Sequence, residues 1–227
     1  HAFCTMDHIV DTLPGRSDDT LMPSGRDFIV ATRHAAQDTG IQLFDIADAD
    51  QGIVHVISPE LGIALPGLSL ICPDSHTCTL GGLGALAWGV GSTEAEHALA
   101  TSTLRVTRPQ TMRVSFAGLL GAGVSAKDLI LFTIRELSTS GGAGYAIEFA
   151  GPAIDALPVE ARLTLCNMTT ELSAFTGLIA PDQKVLDYCA GRRYAPQGRL
   201  WDQAAQHWQS LRSDEGAAFD QEHCFDI

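Results

Sequence analysis

Three histidines of the sequence stand beside carboxylates or in apolar surroundings. His8 follows Asp7 directly, His76 lies two residues after Asp74, and His55 interrupts a run of β-branched apolar residues. An imidazole beside a carboxylate can be held charged near neutral pH and can then act as a general acid. A second interpretation makes His55 a hydrogen-bonded core residue and the other two histidines loop residues. The residues alone leave both interpretations open.

A second candidate group lies on one predicted helix, Pro158–Leu172. Asn167 and Glu171 are four positions apart, so a continuous helix would place them on the same face, about one turn apart. Cys166 and Met168 flank Asn167 and make this neighbourhood largely apolar. A buried carboxylate needs a partner, and a histidine would be a suitable one. The alternative is a solvated helix edge.

Two other kinds of site are disfavoured. Cys72, His76 and Cys78 have a C-x3-H-x-C spacing that fits no common zinc pattern, and no fourth ligand suggests itself. The glycine-rich segment Leu80–Gly91 lacks the lysine of a phosphate-binding loop and departs from the dinucleotide-binding spacing. Its glycines indicate close backbone approach around a site, or tight helix packing. We therefore expect neither a metal ligand set nor a nucleotide site among these residues.

Short apolar runs alternate with helical patterns along the chain, which predicts an α/β fold. The first half contains the predicted helices Ser24–Asp38, closed by Gly40, and Glu94–Leu104, and the predicted strands Ile41–Ile46, Ile53–Ile57 and Leu68–Cys72. A break at Thr107–Gln110 predicts a boundary between subdomains 1–107 and 108–227. The second half contains the predicted strands Met112–Phe116 and Tyr145–Phe149, and the predicted helices Ser125–Leu137, Pro158–Leu172, Pro181–Gly191 and Trp201–Leu211.

Composition excludes several classes of protein. The 227 residues are 45% hydrophobic and 18% charged, as in a globular protein, and the net charge is −13 with no basic cluster. Nucleic acids and anionic membrane surfaces are therefore unfavourable partners. Six thinly spread cysteines indicate reduced thiols, and neither a signal peptide nor a membrane span is recognised. We expect a soluble cytoplasmic protein, and a processed, trimmed or incomplete product because the chain begins at His1.

Six segments of the chain resemble motifs of the aconitase superfamily. They are TMDH (5–8), QGIVHVISPELGIALPG (51–67), DSHTCTLGGLGALAWGVGSTEAEHALAT (74–101), GGAGYAIEFAG (141–151), LCNMTTELSA (165–174) and DEGAAFD (214–220). The resemblance covers nearly the whole chain, and the nearest branch is the large subunits of 3-isopropylmalate dehydratases. It implies three-layer α/β/α domains with mostly parallel sheets.

The resemblance also implies roles for the candidate residues. Asp7 and His8 match the family's catalytic pair, with His8 as the acid, and Asp74 and His76 match a second pair. The family pairs the histidine matching His55 with the glutamate matching Glu171. Two further positions, Ser75 and Asn167, are implied to contact the substrate.

The resemblance implies a cofactor and a partner that this chain does not supply. Family members hold a [4Fe–4S] cluster on cysteines of a C-T-N motif and a G-C-x-x-C motif, and neither motif occurs here. None of the six cysteines is therefore assigned to the cluster, and we expect the chain to stop before the cluster motifs. The family's substrate-binding arginines and serine base are implied to lie elsewhere, the serine on the swivel domain or small subunit.

The implied reaction is the addition or removal of water on a small hydroxy diacid. The nearest branch implies the interconversion of 2- and 3-isopropylmalate in leucine biosynthesis, with residues 1–227 inactive alone. Two alternatives stay open. One is a related hydratase for methylmalate or dimethylmalate, and the other is a cluster-free remnant that acts as a binding or assembly partner.

Overall fold

Helices and short parallel strands alternate along the chain, so the predicted α/β class is confirmed. The computed structural model describes residues 1–12 and 14–227. These residues form two compact units, residues 1–58 and 59–227. The subdomain boundary predicted between residues 107 and 108 falls inside the second unit, and it stays a prediction.

The first unit is built on a pair of parallel strands and one long helix. Its elements are β1 (Phe3–Thr5), α1 (Gly25–Thr39), β2 (Gln42–Phe44) and the start of α2 (Val54–Leu61). Met6, Ile29 and Ile46 form its buried core. The predicted helix Ser24–Asp38 is confirmed within one residue at each end, and it ends at Gly40 in the left-handed conformation that favours glycine (φ 68°).

An arginine connects α1 to its flanking segments. Arg33 lies 2.5 Å from a carboxylate oxygen of Asp18 and 2.6 Å from one of Asp45. The hydrogen bonds from Arg33 lower the pKa of the Asp18 and Asp45 carboxyls, and those carboxylates raise the pKa of Arg33. The three side chains tie the loop before α1, the helix itself and the segment after β2 together.

The strand predicted over Ile53–Ile57 is wrong, because Val54–Leu61 is the helix α2. Four β-branched apolar residues around His55 favour a strand by propensity, but such a run is too short to separate a strand from a buried helix. Ile57 and Ser58 are both buried, whereas Ile53 and Val56 are about half exposed, which is helical rather than alternating burial. His55 therefore lies in the first turn of a helix.

The second unit contains two parallel sheets with helices between their strands. Its strands are β3 (Ser69–Cys72), β4 (Leu86–Gly89), β5 (Gln110–Ala117), β6 (Tyr145–Ala150), β7 (Thr176–Leu178) and β8 (Gln221–Asp226). Its helices are α3 (Ser92–Thr101), α4 (Ala126–Leu137), α5 (Pro152–Ala156), α6 (Val159–Asn167), α7 (Gln183–Cys189) and α8 (Arg199–Gln209), with 3-10 helices at Ser75–Leu83 and Met168–Leu172. β3 pairs with β4, and the larger sheet has the order β7-β6-β5-β8.

Alternate residues of the larger sheet form the main core. Val114 of β5 lies beside Phe149 of β6, and both side chains are buried. Ile130 of α4 and Leu165 of α6 belong to the same buried cluster. This packing fixes α6, whose last residue is Asn167, against the sheet.

The glycine-rich segment packs with unusually close backbone contacts, as its sequence indicates. A Cβ atom on Gly81 would lie 1.7 Å from the carbonyl oxygen of Gly177, and one on Gly82 would lie 2.7 Å from the amide nitrogen of Leu163. A Cβ atom on Gly89 would lie 2.5 Å from the carbonyl oxygen of Asp74. These positions exclude any side chain, so the glycines let the 3-10 helix lie against α6 and β7.

Most of the remaining predicted elements are confirmed within a few residues. The helix predicted over Pro158–Leu172 is α-helical only to Asn167 and continues as the 3-10 helix Met168–Leu172. The short strands β1, β4, β7 and β8 were not predicted. No helix within residues 1–12 and 14–227 combines the length and apolar content that a membrane crossing needs.

Candidate active site

Five of the predicted site residues lie on three neighbouring elements of the second unit. Asp74, Ser75 and His76 form the turn that leaves β3 and begins the first 3-10 helix. Asn167 ends α6, and Glu171 lies on the 3-10 helix that follows. The turn is at the carboxyl end of a parallel strand, where α/β folds commonly place their sites.

The sequence Asp-Ser-His-Thr stabilises this turn through its own side chains. The Asp74 carboxylate accepts the backbone N–H of His76 at 2.8 Å and caps the helix. The Thr77 hydroxyl donates to the Asp74 carbonyl oxygen at 2.7 Å. Gly89, at the end of β4, permits the close approach of the Asp74–Ser75 backbone. The turn therefore has one strongly preferred conformation, which fixes where Ser75 and His76 lie.

His76 is the centre of this group. Its Nε2 atom lies 3.6 Å from Glu171 Oε1, and its Nδ1 atom lies 3.1 Å from Ser75 Oγ and 4.0 Å from Asp74 Oδ1. The imidazole is 37% exposed and the Glu171 side chain 56% exposed. An accessible imidazole with a carboxylate near each nitrogen can bind a polar substrate and can accept or donate a proton.

Asn167 is fixed to the same 3-10 helix by two hydrogen bonds. Its Nδ2 atom donates to Thr79 Oγ1 at 2.8 Å, and Thr79 Oγ1 donates to the His76 carbonyl oxygen at 2.6 Å. The Cys78 thiol donates to the Asn167 carbonyl oxygen at 3.4 Å. Asn167 and His76 are thus connected through Thr79.

A cavity of about 660 Å³ lies beside this group in the second unit. Asp74, Ser75 and Thr170 contribute to its wall. Trp88 and Phe175, whose ring centroids are 5.3 Å apart, add an aromatic surface. The cavity therefore offers polar groups on one part of its wall and an apolar surface on another.

The first unit holds the other predicted acid pair. His8 Nδ1 lies 2.7 Å from Asp7 Oδ1, and the imidazole is 64% exposed whereas the Asp7 side chain is 22% exposed. The pair follows β1 directly, and buried Met6 anchors it by donating its backbone N–H to the Phe44 carbonyl oxygen at 3.1 Å. Asp7 and His8 line a cavity of about 280 Å³.

Two predicted arrangements of site residues, the His55–Glu171 pair and the convergence of three histidines, stay predictions. His55 is buried in the first turn of α2, with 7% of its surface exposed. Its pairing with Glu171 joins residues of different units, and within its own unit Glu171 has His76 as a neighbour. The convergence of His8, His55 and His76 on one cleft also joins the two units.

Several residues of these sites were missed at the sequence level. Thr79 and Gln51 belong to the quoted segments 74–101 and 51–67, so their motifs contain a signal for them. Arg16 lines the smaller cavity and Arg105 the larger one. Each is a single arginine in a polar loop, which gives no pattern to detect.

The three buried thiols of this chain, Cys78, Cys166 and Cys189, do not fit an iron–sulfur cluster. Burial raises the pKa of the Cys78 thiol, and burial together with Cys78 raises that of Cys166 well above its usual value. Burial also raises the pKa of Cys189 to about 11. Iron–sulfur clusters are held by thiolates, whereas these thiols are stabilised in the protonated form. Among the residues that the structure describes, no three His, Cys, Asp or Glu side chains are grouped as metal ligands.

Comparison with known proteins relates the chain to one family and to curated members of it. The profile of the aconitase family, described as aconitate hydratase, matches residues 2–227. The chain is also 52% identical over 225 residues to "3-isopropylmalate dehydratase large subunit 1" of Bradyrhizobium diazoefficiens. That alignment covers 99% of this chain and 47% of the relative, so the chain spans about half the length of this curated relative.

Proposed function

We propose a function on the premise that follows from those matches: the chain belongs to the aconitase family. The chain is part of the large subunit of a hydro-lyase that acts on a small hydroxy diacid. The substrate proposed is isopropylmalate, whose 2- and 3-isomers the enzyme interconverts in leucine biosynthesis. The observation that carries this proposal is the 52% identity to a 3-isopropylmalate dehydratase large subunit over nearly the whole chain.

The complete enzyme needs components outside this chain. The relative is named a large subunit, so we expect a small subunit as partner, carrying the swivel domain and the serine base. We also expect the family's [4Fe–4S] cluster to be held by cysteines outside residues 1–227, because the C-T-N and G-C-x-x-C motifs do not occur within them. The cytoplasm is the proposed location.

His8 is the proposed acid for the hydroxyl that leaves the substrate. Asp7 accepts a hydrogen bond from His8 Nδ1 at 2.7 Å, which leaves Nε2 to carry the proton that is transferred. Because the imidazole is exposed to its cavity, a hydroxyl group can approach that proton. A positioned proton donor of this kind contributes about 10²- to 10⁴-fold to the rate.

The group around His76 is proposed to bind and orient the diacid. Ser75 lines the larger cavity and can donate its hydroxyl proton to a substrate carboxylate. Glu171 and Asp74, each near a different nitrogen of the His76 ring, favour one ring orientation. The pairing of His55 with Glu171 is part of the same proposal.

The test is turnover by the complete large subunit, with its cluster, combined with its small subunit. We expect the wild-type enzyme to form the unsaturated diacid from 2-isopropylmalate, measured by absorbance. We expect His8→Ala to lower kcat by about 10²- to 10⁴-fold. His97→Ala is the matched control, because His97 is an exposed histidine of α3, and it should keep full activity.

Two results would assign a different function. Preference for methylmalate or dimethylmalate over isopropylmalate would identify a related hydratase. An enzyme that turns over no diacid, with cluster and small subunit present, would support a binding or assembly role instead.

A further inference from the structure

The cavity beside Asp7 and His8 contains a guanidinium that is hydrogen-bonded to a neutral partner. Arg16 Nη1 donates to Gln51 Oε1, and both residues line this cavity of about 280 Å³. Among the residues that the structure describes, no carboxylate forms an ion pair with Arg16. The other two arginines of this unit differ, since Arg26 pairs with Asp19 at 3.1 Å and Arg33 pairs with two acids.

The position of Arg16 is tied to that of the acid pair. Gln51 Nε2 donates to the carbonyl oxygen of Met6, while its Oε1 accepts from Arg16. Met6 is almost fully buried and directly precedes Asp7. One amide side chain therefore connects the guanidinium to the backbone segment that carries Asp7 and His8.

The Arg16 guanidinium keeps donors that an added carboxylate can accept. The Asp7 carboxylate is already paired with His8 at 2.7 Å. The Asp11 carboxylate, which also lines the cavity, accepts the backbone N–H of Leu21 at 3.2 Å. A guanidinium has five donors in a planar arrangement that matches a carboxylate, and Gln51 accepts from only one of its nitrogens.

We propose that Arg16 binds one carboxylate of the hydroxy diacid while the substrate hydroxyl faces His8, and that Gln51 is the positioning residue for Arg16. This inference rests on the proposed function and adds a substrate contact to it. The family resemblance implies substrate-binding arginines outside this chain, so Arg16 would be an additional one. Its role would be to orient the diacid relative to the proton on His8.

The first test uses the complete large subunit with its cluster and small subunit. We expect Arg16→Gln to raise KM by about 10- to 100-fold, as for a lost charge-assisted hydrogen bond, with a smaller change in kcat. Arg16→Lys should restore part of the loss, and Gln51→Leu should raise KM by less than Arg16→Gln. Arg26→Gln is the matched control, because Arg26 is an exposed arginine outside the cavity, and it should leave KM unchanged.

A second measurement separates binding of a carboxylate from a general structural effect. Two half-amides of the diacid, each with one carboxylate replaced by an amide, are compared with the diacid as competitive inhibitors. In the wild-type enzyme, one half-amide should bind about 10- to 100-fold more weakly than the diacid. In Arg16→Gln that difference in affinity should largely disappear, because the variant lacks the guanidinium that binds this carboxylate of the diacid.

The outcomes separate this inference from the proposed function. An active wild-type enzyme whose Arg16→Gln variant keeps its KM contradicts the role of Arg16 alone. Equal weakening of the diacid and both half-amides in Arg16→Gln also contradicts it, because it indicates a structural effect. A wild-type enzyme that turns over no diacid contradicts the proposed function, and the role of Arg16 with it.

Discussion

At the scale of single residues, the second unit places a histidine between two carboxylates without burying it. Asp74 is used twice, since its carboxylate caps the 3-10 helix and also lies 4.0 Å from His76 Nδ1. Glu171 reaches the other ring nitrogen from a different helix. Because both His76 and Glu171 are partly exposed, their attraction is screened by water and contributes little to stability. We therefore propose that their arrangement serves substrate binding rather than stability.

This view predicts that Glu171→Gln impairs catalysis more than folding. We expect the variant of the complete enzyme to lose about 10-fold or more in kcat/KM, because the carboxylate that lies 3.6 Å from His76 Nε2 and helps to orient the ring is lost. The thermal unfolding temperature should change by less than about 2 °C, as for an exposed ion pair. Glu160→Gln, on the exposed side of α6, is the control and should change neither quantity. A large loss of thermal stability without a loss of kcat/KM would contradict this role for Glu171.

At the scale of secondary-structure elements, the 3-10 helix Ser75–Leu83 is the most constrained part of the site. Its position depends on glycines that no side chain can replace, and the nearest contacts are to α6 and β7. The same helix carries Thr79, which fixes Asn167. Packing of this element therefore determines the distances between the site residues.

We predict that Gly81→Ala destabilises the second unit by roughly 3 kcal/mol, since its Cβ would lie 1.7 Å from the Gly177 carbonyl oxygen. Gly121→Ala is the matched control, because its Cβ would meet only Val124 at 3.9 Å, and it should change stability by less than about 0.5 kcal/mol. Urea unfolding of both variants measures the difference. Equal stability of Gly81→Ala and the wild type would show that the 3-10 helix packs less closely than described.

The Arg33 group gives a prediction about pH at the same scale. The pKa values of Asp18 and Asp45 are lowered in the folded chain. Their contribution to stability is therefore fully present above the ordinary aspartate pKa of about 3.9 and is lost as pH falls through the lowered values. We expect Arg33→Met to be less stable than the wild type at pH 7, with a difference that shrinks below about pH 4.

Unfolding of both chains by urea at several pH values between 2 and 7 measures this dependence. Arg26→Met is the control, because its pair with Asp19 is highly exposed and should contribute little at any pH. A stability difference for Arg33→Met that stays constant down to pH 2 would contradict the assigned carboxylates.

Elements with a regular helical pattern or a clear apolar run were predictable from the sequence, including the short strands β2 and β3. Ser125 and Asp128 form a capping box that marks the start of α4, and Gly40 marks the end of α1. The strand predicted over Ile53–Ile57 is wrong because the strand propensity of its residues disagrees with their helical pattern of burial. Burial determined the conformation. β4, at Leu86–Gly89, was hidden inside a glycine-rich segment. The missed strands β1, β7 and β8 are defined by pairing with distant strands, which their local sequence does not reveal.

The contacts of the candidate site also divide into those that the sequence could predict and those that it could not. The members of the Asp7–His8 and Asp74–His76 pairs are one and two positions apart in the sequence. Their contacts could therefore be predicted from spacing and resemblance. The contact between His76 and Glu171 joins residues 95 positions apart (171 − 76) and depends on the packing of α6 against the 3-10 helix. Arg16 and Gln51 are 35 positions apart, and only the folded chain brings them together.

At the scale of the whole molecule, the chain supplies imidazoles and carboxylates but not the complete catalytic apparatus of its family. It matches 47% of a curated large subunit, and none of its described residues is grouped as a metal ligand set. The proposed acid alone accounts for only about 10²- to 10⁴-fold in rate, which is small beside the total acceleration of most enzymes. We therefore predict that residues 1–227 do not catalyse the reaction by themselves.

Turnover of 2-isopropylmalate by residues 1–227 and by the complete large subunit is the measurement that tests this account most directly. Both are treated anaerobically with iron and sulfide and mixed with the small subunit, and the unsaturated diacid is followed by absorbance. We predict turnover only for the complete subunit. Turnover by residues 1–227 under these conditions, abolished by His8→Ala, would contradict the account, because this chain would then supply all the catalytic groups of the large subunit.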